Sequence, residues 1–205
     1  MEINEFYKKF ESGFNKAMKG FKVNGDDLIM YKEWTEGIGN YLKKTFENEH
    51  NYICICKHNL AKKTDKKEFL TLDYTVFKND EATTLDNLAT REIIYAVEHE
   101  NQTDHNRIAY NISKLLNISA KNKVMIGYVK KPEKEGDEDK EKEEIFEKLK
   151  KQIKEMKSSK FREEERLLII LGHNGMTNSS HYKAKLFYLK SKRSKNLNSK
   201  NKKEE

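Results

Sequence analysis

Two cysteines and one proline are all that this 205-residue chain has of the residues that cross-link or kink a backbone. Cys54 and Cys56 stand two apart in NYICICKH, so on one strand they share a face and cannot easily bridge each other. A zinc site would need further ligands nearby, and buried reduced thiols are expected instead of a disulfide scaffold. The lone Pro132 opens PEKEGDEDKEKEE, whose dense charge reads as a solvated loop or a frayed helix start. No apolar run is long enough to span a bilayer, and no signal or lipidation motif is present, so no membrane partner and a cytoplasmic location are expected. No glycine-rich phosphate cradle or dinucleotide fingerprint follows any apolar strand-like run, which argues against an enzyme of small phosphorylated molecules. The absence of a G-x-S-x-G elbow, with both cysteines in mid-strand, argues against serine or cysteine nucleophiles. No repeat at a solenoid period occurs.

What is abundant is charge, at 37% of residues against 36% hydrophobic. Residues 191–205 hold six Lys or Arg against two Glu, so +4 of the +7 net charge sits in an expected disordered basic tail. Such a segment can hold a phosphate backbone loosely, and is equally what a lysine-rich composition puts on any terminus. Residues 1–190 are expected to form a single domain, with helices over 1–50 and a sheet core over 51–190.

Phe6, Phe10, Phe14 and Met18 recur every four residues, a narrow stripe that predicts a docked helix at residues 2–19. Asp26 is placed to cap a second helix carrying Leu28, Trp34, Ile38, Leu42 and Phe46. From residue 51 the texture changes to strands over 52–56, 69–77 and 92–100, rich in β-branched and aromatic residues. A helix with Ile108, Ile112, Leu115 and Leu116 on one side follows, then the apolar strand KVMIGYV, a helix at 145–156 and the strands RLLIILGH and HYKAKLFYLK. Strand–helix–strand order implies parallel crossovers, so a mixed sheet with helices on both faces is expected.

Three acidic residues carry the chemistry. Glu98 and Glu100 are two apart on one strand and point the same way, while His99 points oppositely. If the strand bearing Asp73 lies alongside, three carboxylates converge at one end of the sheet. Carboxylate oxygens suit Mg²⁺ or Mn²⁺, and such a cluster repels itself without a cation. Metal-assisted hydrolysis of a phosphate ester follows, with Asp73 and Glu98 binding one or two cations, and the His99 carbonyl available as a further ligand. Glu100 would orient or deprotonate the attacking water. Each residue has a plainer reading. Asp73 shares its face with the polar Thr71 and Thr75, and Glu100 could begin a loop. Glu98 resists such dismissal, because it ends the apolar run Ile93–Val97, where an unpaired ion is costly. The Gly172-His173-Asn174-Gly175 stretch after LLIIL is a weak motif without phosphate-loop spacing.

A helix, a strand meander with an Asp on its second strand and Glu-x-Glu on its third, then a helix and a strand, resembles the PD-(D/E)xK or restriction-endonuclease-like superfamily. The resemblance covers residues 26–130 by element order. It implies an α/β fold with a mixed central sheet, and a metal-dependent nuclease cutting DNA phosphodiester bonds with Mg²⁺ or Mn²⁺. Position 100 holds Glu where the family usually has Lys, and no Pro precedes Asp73. Some members have a second Glu there; others move the lysine to the next helix, where Lys114 is the candidate. Glu36 resembles the extra carboxylate such proteins draw from a preceding helix, and is otherwise an exposed helix residue. A catalytically inactive module that binds nucleic acid or a protein partner is the alternative. A homodimer through the first helix is a further expectation, against that helix covering its own sheet.

Overall fold

The computed structural model describes residues 1–18, 27–48, 52–56, 72–80, 85–130, 137, 139–156, 160–173 and 182–197, with backbone alone at 14–18, 27–36 and 85–86. Helices α1 (Ile3–Met18) and α2 (Asp27–Glu47) precede strands β1 (Tyr52–Cys56), β2 (Tyr74–Lys78) and β3 (Ile93–Glu100). Helix α3 (His105–Leu116), β4 (Ala120–Val129), α4 (Lys140–Glu155), β5 (Arg166–His173), β6 (Lys183–Tyr188) and β7 (Arg193–Asn196) follow. A 3₁₀ turn, Leu85–Thr90, joins β2 to β3.

The seven strands lie in one sheet in chain order. β1, β2 and β3 form an antiparallel meander, β3, β4 and β5 run parallel, and β6 and β7 return antiparallel. The two parallel joins are made by α3 and α4, which pack on the same face and bury Ile108, Ile112, Leu115, Ile145, Leu149 and Ile153 against Ala96, Met125, Ile169 and Leu171. α1 and α2 cover the other face, over Tyr74, Val97, Val124, Ile126, Leu168 and Ile170. Central strands covered on both sides have no solvent-facing positions, which is why β4 and β5 read as unbroken apolar runs. The expected mixed sheet with helices on both faces is therefore observed.

The apolar stripe of α1 finds its partner within the chain. Phe6 stacks on Phe46 of α2 at 5.4 Å, and Phe10 meets the Tyr182 ring edge-on at 5.5 Å. Phe14 and Met18 lie outside the described side chains, as does Asp26 altogether. α3 begins where the Asp104 carboxylate accepts the Asn106 N–H at 2.8 Å, satisfying one of the orphan donors of the first turn.

Several boundaries differ from the sequence reading. β2 starts at Tyr74, so Asp73 stands just before the strand and not within it, and residues 69–71 fall outside the described part. α4 starts at Lys140, five residues earlier than its apolar spacing indicates, because a charged first turn with Glu141 and Glu143 suits the positive end of the helix dipole. The first part of the expected disordered tail is ordered: Arg193–Asn196 pairs with β6 as the edge strand β7, its register running from Tyr188↔Arg193 to Lys185↔Asn196. An edge strand needs only backbone partners on one side, so its polar sequence gave no strand signal.

Candidate functional site

Parallel β3, β4 and β5 end together, and the antiparallel β2 begins at the same edge. Tyr74 pairs with Val97, so the β2 ladder stops one residue before Glu98. The backbone N–H of His99 thereby loses a strand partner, and a buried N–H needs an acceptor. Asp73 supplies it: its Oδ2 accepts the His99 N–H at 2.9 Å. This bond delivers the Asp73 carboxylate to the end of β3, beside Glu98.

Glu98 projects under α3 and is 2% exposed. Lys114, in the last turn of α3, places its Nζ 2.7 Å from Glu98 Oε1. Side chains on a helix lean toward its N-terminus, which carries this lysine back toward the strand end. Burial and the neighbouring Asp73 charge raise the Glu98 pKa to about 8, against the opposing pull of Lys114. Two carboxylates and one ammonium thus meet around the buried Glu98, where removing its charge from solvent outweighs the single ion pair.

The third member of the expected trio is held elsewhere. Glu100 faces α3 as its spacing requires, but Oε2 accepts from Asn111 Nδ2 at 3.2 Å and Oε1 from the Gln102 N–H at 3.0 Å. Among the described residues no three His, Cys, Asp or Glu side chains form a group that could hold a metal ion. The convergence of three carboxylates is corrected to a pair, Asp73 and Glu98, with Lys114 as third partner; Glu100 is drawn off because two donors lie closer to the strand's end. Glu36, the expected further carboxylate, lies in α2 with its side chain outside the described part.

His99 turns to the opposite face, as alternation requires. Its Nε2 lies 3.0 Å from the Tyr128 hydroxyl of β4, and the Tyr182 hydroxyl donates to the same oxygen at 3.3 Å. Asn111, Tyr128 and Tyr182 did not emerge from the sequence, where Asn111 is one polar residue of a helix and the two tyrosines are polar tips on apolar segments. In the Gly-His-Asn-Gly stretch, His173 Nδ1 lies 3.0 Å from the Lys130 carbonyl, a link between two strand ends; Asn174 and Gly175 lie outside the described part. Cys54 and Cys56 are free thiols, and burial raises the Cys54 pKa. Among the described residues no helix is long and apolar enough to cross a membrane.

Comparison of the chain with protein-family models, with curated proteins and with solved structures gives no match.

Proposed function

We propose that the chain is a divalent-metal-dependent nuclease of the restriction-endonuclease-like type, hydrolysing DNA phosphodiester bonds at the Asp73–Glu98 edge. The observation that carries this reading is the buried Glu98 carboxyl beside Asp73, with Lys114 2.7 Å away, where three parallel strands end. That is the edge at which open α/β sheets place ligands. The order helix, antiparallel three-strand meander, helix and parallel strand supports it, since the superfamily resemblance implied the same order.

The donor set suits Mg²⁺ or Mn²⁺. These ions keep several waters and take one or two carboxylates from the protein, so a pair suffices where a trio was expected. A cation would also relieve the repulsion that, with burial, holds Glu98 well above the ordinary carboxylate range. Asp73 and Glu98 would hold it, and when bound it supplies an acidified water and neutralises charge on the phosphate. The remaining steps belong to the chain. Lys114, released from Glu98, is within reach to position the attacking water or meet the developing negative charge. Asn111 holds Glu100 out of the pair, leaving that carboxylate at the mouth to accept a proton through one water.

The test is plasmid or oligonucleotide cleavage with Mg²⁺ or Mn²⁺. Asp73→Ala and Glu98→Ala should each lower the rate by at least about 100-fold while the circular dichroism spectrum is kept. Cleavage that survives both changes would remove the site. A protein that binds DNA but cleaves none of its forms with any metal would instead be the inactive module.

A further inference from the structure

The face of the sheet opposite the carboxylates holds a chain of buried polar atoms that this function does not use. Tyr182, Tyr128 and His99 are all under one-tenth exposed, and they belong to three different parts of the sheet. Tyr182 precedes β6, Tyr128 is on β4, and β5 runs between those strands. The Tyr182 ring passes over β5 at Gly172, where a Cβ would stand 2.6 Å from the ring's Cε1 and 2.8 Å from Cζ. Glycine at that position is what lets the two hydroxyls meet. Tyr182 donates to the Tyr128 oxygen, and His99 Nε2 lies within hydrogen-bond distance of that same oxygen, so the three side chains form one connected chain. Ring contacts of 5.7 Å for His99–Tyr128 and 6.1 Å for Tyr128–Tyr182, both edge-on, hold the three in place.

The same residue that ends this chain carries the N–H that holds Asp73. Among the described residues β2 pairs β3 no further than Val97, while the ladder to β4 on the other side continues through Glu98, His99 and Glu100. We propose that His99, Tyr128 and Tyr182 are positioning residues: anchored through its side chain on one face, His99 presents its N–H on the strand edge and sets the Asp73 carboxylate against Glu98. Metal-ligating carboxylates depend on hydrogen-bond donors behind them, and losing such support typically weakens metal binding by roughly 10- to 100-fold. The inference rests on the metal-binding reading of the pair.

The experiment is calorimetric titration of the full chain with Mn²⁺ in the absence of DNA, so that catalysis plays no part. Asp73→Ala should abolish binding, which tests the underlying reading. Tyr128→Phe, which keeps the ring and removes the hydroxyl, should raise the Mn²⁺ dissociation constant about 10-fold. His99→Leu should match it, while His99→Gln, which keeps a polar side chain able to hydrogen-bond the Tyr128 hydroxyl, should recover most of the affinity. Val124→Ala, on the same face but outside the chain, should lower thermal stability without changing affinity. If Asp73→Ala abolishes binding and Tyr128→Phe behaves like Val124→Ala, the positioning role is overturned and the metal site stands. If the unaltered chain binds no Mn²⁺, both fall.

Discussion

Glu98 contributes a pH dependence of its own to the metal-free protein. Its pKa rises from 4.5 toward about 8 on folding, so between those values the folded state binds more protons than the unfolded one. Stability from this group is fully present below pH 4.5 and is lost as pH climbs through 8, the reverse of an ordinary salt-bridged carboxylate. Glu98→Gln keeps the shape and removes the ionisation. In EDTA it should raise the unfolding free energy at pH 8 by about 1–3 kcal/mol and flatten the pH dependence between 5 and 8. Thermal denaturation across that range checks it; a Gln variant no more stable than the parent at pH 8 would mean that Lys114 keeps Glu98 ionised throughout. Added Mn²⁺ should reverse the ranking, since only the parent retains both carboxylates.

At this scale Glu98 was readable because period-two alternation fixes its face and an acid closing an apolar run is conspicuous, and Asp73 because its segment was expected to lie alongside. The departure of Glu100 was not, because it depends on Asn111, eleven residues on and brought there only by α3 packing. Gly172 was noticed as part of a weak motif, yet its role depends on the Tyr182 ring, just before β6, crossing over it, a fact of strand order.

Among the elements, β4 and β5 share a second buried ionic site at the end of the sheet far from Asp73. Lys123 is fully buried; its ammonium meets the Glu165 carboxylate and lies 3.1 Å from the Ala120 carbonyl. Burial lowers its pKa, with Glu165 pulling the other way. The two partners are not equivalent, because Glu165 also accepts from Arg162 Nε at 3.2 Å. Glu165→Leu strands an ammonium in an apolar site and should cost about 3–5 kcal/mol. Lys123→Met leaves Glu165 with Arg162 and should cost only about 1–2 kcal/mol. The double change should recover much of the larger loss, as urea unfolding of the three variants would reveal. A Lys123→Met variant as unstable as Glu165→Leu would show that Arg162 carries none of the load. The elements themselves were legible where apolar spacing marked them. β7 was not, since Arg193 and Lys195 face solvent and read as tail, whereas on an edge strand such charges block pairing with other chains.

For the whole molecule, sheet order determines which strand ends stand near the carboxylates. β1 ends at Cys56, paired with Tyr74 at the Asp73 edge, and the sequence between them, residues 57–71, carries five lysines against two acids. β7 also ends toward this edge, the Leu197 N–H bonding the Ala184 carbonyl, but it lies four strands from β3, roughly 19 Å at ordinary strand spacing. Residues 198–205 beyond it hold three lysines against two glutamates. If DNA lies across the Asp73 edge, the first segment should dominate its counterion release. Each lysine–phosphate contact steepens the dependence of log Kd on log salt by about 0.9. Replacing Lys62, Lys63, Lys66 and Lys67 by Gln should therefore reduce that slope by up to about 3.6, whereas ending the chain at Leu197 should reduce it by less than about 1. Fluorescence anisotropy of a labelled duplex over a KCl series, in EDTA, measures both. The opposite ranking would place the nucleic acid over the β7 edge, and would separate DNA binding from the Asp73–Glu98 pair.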